Sequence, residues 1–390
     1  MLPSFFLATV AFGSAALCQR VDTHFHALPP AYLEALSAAG GDPSGYPTPE
    51  WSLDAAIKSM NSIETSLGIL SVSSPGVSIA GTGEAARKLA RTLNENLGTY
   101  ASKNKYKGRI GFFGSLPDFQ DVNGTLAELE YLYEKQKLCN GVIVFTSYGG
   151  KLLGHSDFSP IWAKLQEYQA LVFLHPSVLD VEPHLIGPAI PQPIVDYPLA
   201  TTRAATDLVM TGTFRACPDV DIILSHAGGA VPYVGSRAIN ALGIPSVAEM
   251  AKVNLAQAKK DFSRFYYDIA LSTSAAQLDG LLDFASSEKI LFGSDFPYAP
   301  QYGIDAVLLE YSKYVMTNSR GDKVAPDAAS LTLHEGLNTQ LKTKYKANGI
   351  IATIVQPSWV RTPMSPDNAD EIERRDGKML SPQEIAGCSL

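Results

Sequence analysis

The amino-acid sequence predicts an α/β fold, a (β/α)8 TIM-type barrel with a metal site at the C-terminal ends of its strands. Two observations lead to this prediction: eight apolar or β-branched runs alternate with helix-like stretches, and metal-binding or proton-transfer side chains end four of these runs. Each run is nearly continuous in apolar residues, as is typical of parallel strands covered on both faces. A doubly wound sheet is the alternative, but that fold usually has fewer strands in one domain.

The eight predicted strands are bounded by turn residues and lie at 20–26, 68–74, 110–116, 141–147, 170–176, 221–227, 265–271 and 290–296. Helix-like stretches separate them, for example 80–104, 124–137, 159–169 and 274–288. In a closed parallel barrel the carboxyl ends of all strands meet at one face, which carries the active site. Side chains that end different strands are therefore expected to lie close together.

The first predicted strand ends in two histidines, His24 and His26, within the run DTHFH. Because strand side chains alternate between faces, both imidazoles point the same way, about 7 Å apart along the strand, and they can share one metal ion. His175 ends the fifth strand and Asp295 ends the eighth. Together these residues offer three nitrogens and one oxygen, a ligand set that suits Zn²⁺ or a similar divalent ion.

Two further features belong to the same face of the predicted barrel. His226 ends the sixth strand and is a candidate for proton transfer. Long, Pro-rich connections at 27–58 and 178–202 follow strands one and five. Loops of this length are usually functional, so we expect them to form lids or rims over the metal.

Composition excludes several classes of function. The chain has 390 residues, of which 46% are hydrophobic and 18% charged, which is ordinary for a globular protein with a large core. Its net charge of −8 and its lack of a basic run argue against nucleic acid as a partner. The only long apolar tract lies at the extreme N-terminus, so no internal membrane span is expected. The four cysteines contain no CxxC pair, which argues against a thiolate zinc site or a disulfide framework.

The two ends of the chain do not fit the barrel, which we assign to 19–345. Residues 1–18 (MLPSFFLATVAFGSAALC) are similar to a secretory signal, but no Lys or Arg precedes the apolar run. Two interpretations stay open, a signal or anchor and an N-terminal extension beside the barrel, and the compartment, cytosol or secretory pathway, depends on the choice. Residues 346–390 resemble a fragment of short-chain dehydrogenases without that family's Gly-rich nucleotide turn, and we interpret them as a non-functional tail.

Four motifs, DTHFHALPPAYLEAL, FLHPS, SHAGGAVPYVGSR and GSDFPY, occur in this order along the chain. With them, residues 20–345 resemble the amidohydrolase superfamily. The resemblance is closer to its decarboxylase branch, which includes aminocarboxymuconate-semialdehyde decarboxylase, γ-resorcylate decarboxylase and the fungal 6-methylsalicylate decarboxylases. The pair HxH is a weak signal by itself, whereas the four motifs in this order are specific.

The resemblance implies one divalent metal ion, with Zn²⁺ expected first and Mn²⁺ second. It implies His24, His26, His175 and Asp295 as ligands and His226 as the histidine that handles protons. Strand four (GVIVFTSYGGK) has no lysine inside the strand, so a site for one metal ion is favoured over a binuclear site. The resemblance also implies a homodimer, in which Arg237 would reach the substrate carboxylate bound by the neighbouring subunit.

The activity implied is non-oxidative decarboxylation of a small ortho-hydroxy aromatic acid, with no organic cofactor, and the sharpest hypothesis is conversion of 6-methylsalicylate to m-cresol. Asp295 is the candidate acid that protonates the ring, and His226 would orient or reprotonate it. Phe296 and Tyr298 are candidates for stacking on an aromatic substrate. Two alternatives stay open: a metal-dependent hydrolase of a lactone, ester or amide, and a non-catalytic barrel that acts as a binding protein.

Overall fold

The computed structural model describes residues 20–318, and these residues contain an eight-stranded parallel sheet. Strands that follow one another in the sheet also follow one another in the chain, apart from one small antiparallel hairpin, β5 with β6. The strands are β1 Arg20–Ala27, β2 Thr65–Val72, β3 Ile110–Gly114, β4 Gly141–Phe145, β5 Ser147–Tyr148, β6 Lys151–Leu152, β7 Leu171–His175, β8 Asp221–Leu224, β9 Tyr266–Asp268 and β10 Ile290–Leu291. All eight predicted strands overlap an observed one.

The first and last strands are joined by hydrogen bonds, which makes the sheet a barrel as predicted. The backbone N–H of Thr23 donates to the carbonyl of Phe292 at 3.0 Å, and that of His26 donates to Phe296 at 2.7 Å. The regular ladder of β10 nevertheless covers only two residues, whereas the sequence predicts a strand over 290–296. Four residues after the ladder ends, Asp295 has a φ of 62°, which is not an extended conformation.

Within residues 20–318, twelve α-helices surround or cap the strands. They are α1 Pro30–Ala38, α2 Leu53–Ser62, α3 Glu84–Ser102, α4 Val122–Glu130, α5 Ser159–Glu167, α6 Asp196–Met210, α7 Thr213–Ala216, α8 Val231–Ala241, α9 Pro245–Ala248, α10 Leu255–Phe262, α11 Ala275–Phe284 and α12 Gln301–Thr317. The four helices predicted as examples correspond to α3, α4, α5 and α11. A π-helical turn at Tyr131–Gln136 continues α4.

The first long connection differs from its prediction. The segment 27–58 contains α1 and most of α2, so it is not an irregular loop. Its prolines do not oppose a helix, because Pro30 occupies the first helical position, where a missing N–H costs no hydrogen bond. Ser52 then caps α2 by accepting a hydrogen bond from the backbone N–H of Ala55. The second connection is shorter than predicted, since α6 begins at Asp196.

The interior of the barrel is filled by aromatic side chains below the strand ends. Phe113 of β3 and Phe173 of β7 are buried and stack with ring centroids 5.3 Å apart. Phe173 also contacts His24 edge to face, with centroids 5.0 Å apart. Because Phe173 and His175 are two residues apart on one strand, both face the interior and the histidine lies one layer higher. This apolar floor supports the layer that holds the histidines.

Some predictions lie outside the described residues, namely the interpretations of residues 1–18 and 346–390 and the end of the barrel at 345. Within residues 20–318, no helix has both the length and the apolar character that crossing a membrane requires.

Candidate metal centre

Three predicted ligands meet at the carboxyl end of the barrel. The Nε2 atoms of His24 and His26 are 3.1 Å apart. The Oδ1 atom of Asp295 lies 3.3 Å from the first nitrogen and 3.2 Å from the second. His175 adds a fourth side chain, with its ring centroid 5.2 Å from that of His24 and 4.8 Å from that of His26. All four side chains are buried.

Each histidine ring makes a hydrogen bond on the side away from this cluster, and that bond determines which ring nitrogen faces the cluster. The Nδ1 of His26 lies 3.3 Å from the carbonyl of Ser71, and the Nδ1 of His175 lies 2.8 Å from the carbonyl of Pro176. The Nδ1 of His24 lies 3.0 Å from a carboxylate oxygen of Asp268. Each partner is an acceptor, so each Nδ1 carries a proton, and the Nε2 of a neutral ring then presents a lone pair.

This donor set fits one divalent cation. Lone pairs on three imidazoles and one carboxylate point into a small buried space, where they repel one another unless a positive charge lies between them. Ligand atoms about 2.0–2.2 Å from a common ion are themselves about 3 Å or slightly more apart, which agrees with the separations among His24, His26 and Asp295. The groups His24–His26–Asp295 and His24–His175–His226 both have ligand atoms within 4.8 Å of one another.

The charges of the cluster also favour the binding of a cation. Burial alone would lower the pKa of His24, but the carboxylates of Asp268 and Asp295 outweigh it and raise that pKa to about 10. Burial alone would raise the pKa of Asp295, but His24 and His26 hold it well below its ordinary value. Burial lowers the pKa values of His26 and His175. Without a metal ion, a second proton on His24 therefore supplies the positive charge.

His226 approaches the cluster from the neighbouring strand. Its ring centroid lies 4.7 Å from that of His24 and 6.3 Å from that of His175. Its Nδ1 lies 3.0 Å from the carbonyl of Ala270 and therefore carries a proton, which leaves Nε2 available. Burial and then the charge of His24 lower the pKa of His226. This histidine is thus favoured as a neutral base beside the metal cluster.

The two residues predicted to move protons both have a strained backbone conformation. His226 and Asp295 have φ values of 54° and 62°, in the left-handed region that side chains other than glycine rarely adopt. The turn after His226 also requires Gly229, whose φ is 63° and at which a Cβ would lie 1.9 Å from the carbonyl oxygen of Pro198. Strain of this kind tends to cluster at functional sites.

The predicted substrate-binding residues have different surroundings. The ring of Tyr298 stands edge to face against His26 with centroids 5.5 Å apart, and its buried hydroxyl makes no well-formed hydrogen bond within residues 20–318. Phe296 packs on Phe25, with ring centroids 5.5 Å apart, at the seam that closes the barrel. Arg237 lies on α8 and is exposed, so the fold of one chain does not bring it into the cluster of ligands.

Three residues of the site were not predicted. Asp268 ends β9 and binds His24; a carboxylate inside the apolar run FYYDIAL is the sequence signal that could have revealed it. Tyr197 lies near His175, with ring centroids 6.3 Å apart. The hydroxyl of Tyr46 donates to the carbonyl of Tyr298 at 3.1 Å. Tyr46 comes from the first long connection and Tyr197 from the first turn of α6, and the positions of these two segments could not be read from the sequence.

The sequence profile of the amidohydrolase family matches residues 21–310, which include every residue of the cluster. The chain is a member of the amidohydrolase family. The motifs that predicted this membership supply the histidines and the aspartate of the site, and the eight-stranded barrel is the fold that the membership implies.

Curated relatives of this amidohydrolase include fungal decarboxylases. A 6-methylsalicylic acid decarboxylase of Penicillium expansum is 40% identical over 292 residues, which cover 74% of this chain and 87% of the relative. The decarboxylase yanB of Aspergillus niger is 39% identical over 293 residues, 72% of this chain and 78% of the relative.

Solved structures share the fold. The crystal structure of Metarhizium anisopliae IDCase has a TM-score of 0.67 and 22% identity, and covers 85% of this chain and 98% of its own. A dihydroxybenzoic acid decarboxylase of Polaromonas sp., solved with bound manganese, has a TM-score of 0.60 and 19% identity, and covers 82% of this chain and 97% of its own.

Proposed function

We propose that this amidohydrolase is a carboxy-lyase that decarboxylates a small ortho-hydroxy aromatic acid, with 6-methylsalicylate, which would give m-cresol, as the preferred substrate. The observation that supports the proposal most strongly is the 40% identity to a 6-methylsalicylic acid decarboxylase over 292 residues. The converging donor set of His24, His26, His175 and Asp295 supports it, because chelation of a carboxylate and its ortho hydroxyl needs a metal centre of this kind.

The proposed cofactor is one divalent metal ion, held by the side chains of His24, His26, His175 and Asp295. Three imidazole nitrogens favour Zn²⁺, whereas Mn²⁺ prefers oxygen ligands but is also accommodated by mixed sites. Manganese is present in the Polaromonas decarboxylase of the same fold, and it is therefore the second metal to test. When bound, the ion would supply the positive charge that holds the carboxylate and the ortho-hydroxyl oxygen of the substrate.

The reaction breaks the bond between the ring and the carboxyl carbon, releases CO₂ and places a proton on the ring carbon. Asp295 is the group proposed to deliver that proton. Its carboxylate is ionised among the imidazoles, so it must first acquire a proton, which the ortho hydroxyl of the substrate supplies either directly or through Nε2 of the neutral His226. After CO₂ leaves, the free Nε2 of His226 takes a proton from solvent and passes it to the phenolate oxygen of the product, which restores the starting state.

Two aromatic side chains, one from the segment between β10 and α12 and one from the first turn of α6, lie beside the proposed metal ligands. Tyr298 stands over His26 and Tyr197 over His175. Their rings exclude water from the reacting carbon and offer faces for an aromatic substrate. Phe296 would help indirectly, by holding the segment that carries Asp295 and Tyr298. The proposed role of Arg237, contact with a substrate carboxylate in the partner of a homodimer, requires two chains.

The test uses the full chain, depleted of metal and supplied in turn with Zn²⁺ and Mn²⁺. It is offered 6-methylsalicylate, salicylate and 2,6-dihydroxybenzoate, and the release of CO₂ and of the phenol is measured. We expect metal-dependent phenol formation, fastest with 6-methylsalicylate, and its loss in the His175→Ala variant. Binding of one metal ion without decarboxylation would favour the hydrolase alternative, and a wild-type protein that binds no metal would favour a non-catalytic barrel.

A further inference from the structure

We propose that Asp268 is a positioning residue that keeps a proton on Nδ1 of His24, so that Nε2 is the atom facing the metal centre. The inference rests on the proposed function only in taking His24 as a metal ligand. Asp268 ends β9 and is completely buried. It does not face the metal centre directly but stands behind the ring of His24.

All the hydrogen bonds of this carboxylate come from N–H donors. Its Oδ2 accepts from Nδ1 of His24 at 3.0 Å. Its Oδ1 accepts from the backbone N–H of His226 at 3.1 Å and from that of Ala270 at 3.0 Å. An ionised carboxylate can only accept, so the ring nitrogen that it contacts must carry a proton.

His24 differs in this respect from the other two histidine ligands. His26 and His175 present Nδ1 to backbone carbonyls, those of Ser71 and Pro176. A carboxylate is a stronger acceptor than a carbonyl, and a carboxylate behind an imidazole makes the opposite nitrogen a better metal ligand. Asp268 therefore makes His24 the most strongly oriented and the most electron-rich of the three rings.

The same short segment also holds His226. The carbonyl of Ala270 accepts from Nδ1 of His226 at 3.0 Å, while Asp268 accepts from the backbone N–H of His226. One turn after β9 thus orients both the ligand His24 and the proton carrier His226. Gly293 leaves room for this arrangement, because a Cβ there would lie 2.6 Å from Cβ of His24 and 3.2 Å from Oδ1 of Asp268.

The variant that tests this role is Asp268→Asn. Its Oδ1 can still accept from the backbone of His226 and Ala270, so the turn is retained. The new amide group, however, can only donate to His24, which removes the proton from Nδ1 and places it on Nε2. We expect zinc affinity, measured by competition with a chelator, to fall about tenfold to a hundredfold.

A second readout needs neither metal nor substrate. In the metal-free wild-type protein, Nδ1 of His24 should show a strongly hydrogen-bonded, downfield ring N–H proton in ¹⁵N-edited NMR spectra, assigned by its absence from His24→Gln. Asp268→Asn should lose this signal. The matched control is Asp261→Asn, which changes a buried carboxylate on α10, whose charged partner is Arg215 at 3.6 Å. This control should keep both the signal and the zinc affinity.

The outcomes separate the two proposals. Wild-type zinc affinity in Asp268→Asn, within threefold, together with an unchanged ring N–H signal would overturn the role of Asp268. If the wild-type protein binds no divalent metal, the proposed function fails at its metal site. The ring N–H signal of the metal-free wild-type protein then still decides whether Asp268 holds the proton on Nδ1, even if Asp268→Asn does not fold.

Discussion

The side-chain amide of Gln192 pairs with both backbone groups of Leu179. Its Oε1 accepts from the N–H of Leu179 at 2.8 Å, and its Nε2 donates to the carbonyl of Leu179 at 2.8 Å. This pairing fixes which end of the amide is the donor. The Nε2 therefore also donates to Nδ1 of His184 at 3.1 Å, and Nε2 of His184 donates to the carbonyl of Pro43 at 3.0 Å. The backbone of Gln192 adds a bond to Ser44 at 3.3 Å.

These bonds join the two long connections near the site, so Gln192→Leu is expected to loosen both. Leucine has a similar volume but cannot make the side-chain hydrogen bonds of Gln192. Each lost hydrogen bond should reduce the local stability of the connections by about 0.5–1.5 kcal/mol. We expect limited proteolysis within 178–195 to become about tenfold faster and the KM for the aromatic acid to rise several-fold, with global unfolding by urea little changed.

The matched control for Gln192→Leu is Gln166→Leu. Gln166 also makes a reciprocal pair of hydrogen bonds, with Asp219, but it lies on α5 and has no contact with the connections. Equal rates of proteolysis in the two variants would show that Gln192 does not hold the connections together.

Gly229→Ala is expected to disturb the turn that presents His226. The new Cβ would lie 1.9 Å from a backbone oxygen, that of Pro198, and neither backbone can yield without moving α6 or the turn. Together with the φ of 63°, this should lower the free energy of unfolding by about 3 kcal/mol or more and reduce kcat strongly. Urea denaturation and steady-state kinetics measure the two effects.

Gly280→Ala is the same chemical change, but we expect it to have the opposite effect on the free energy of unfolding. Gly280 lies inside α11, and a Cβ there meets nothing within 4 Å. Alanine should stabilise the protein by about 0.5–1 kcal/mol, because it reduces the freedom of the unfolded chain and favours the helix. If neither variant changed the free energy of unfolding, the result would contradict the close approach of Gly229 to Pro198.

The sequence was sufficient to bring together the candidate ligands that follow local rules. His24 and His26 share a face because strand side chains alternate, and His175 and Asp295 were found because each ends an apolar run within a recognisable motif. The contact between His24 and Asp268 could not be predicted in the same way. It joins residues 244 positions apart, on strands that are not adjacent in the sheet, and it depends on the tilt and stagger of the barrel.

The other differences between the predicted and the observed elements come from local backbone conformation. The last strand was predicted to run to 296, but its ladder ends at Leu291, and Asp295, whose carboxylate contacts the histidines, has a left-handed φ. An apolar run carries no information about such a residue. The helices of the first connection were not predicted, because that segment was interpreted as a long Pro-rich loop, whereas Pro30 begins a helix.

Tyr298→Phe distinguishes a binding role from a structural one. The buried hydroxyl of Tyr298 has no well-formed hydrogen bond within the described residues, so its removal should leave the free energy of unfolding unchanged or raise it by up to about 1 kcal/mol. If the hydroxyl binds a substrate oxygen, KM should rise about tenfold while the stacking ring is kept. Calorimetry and kinetics on one preparation test both parts, and Tyr302→Phe, at an exposed site, is the control.

Removal of the metal should change stability in a way that depends on His26. A metal ion present at a hundred times its Kd stabilises the folded state by about 2.7 kcal/mol, so a chelator should lower the unfolding temperature of the wild-type protein by several degrees. In His26→Gln the chelator should have almost no effect, because one of the converging donors is gone.

The free energies of unfolding of the metal-free wild-type and His26→Gln proteins provide a more specific comparison. Without a metal ion, only the second proton of His24 offsets the lone pairs of His26 and His175 and the carboxylate of Asp295 in this buried space, so replacing His26 should cost the metal-free protein less than about 1 kcal/mol. With zinc added, the wild-type protein should become the more stable of the two. His155→Gln, at an exposed histidine beside Asp157, should behave like the wild type throughout. A large loss of stability in metal-free His26→Gln would mean that His26 serves the fold and not a metal, because its stabilising contribution would then not depend on the ion.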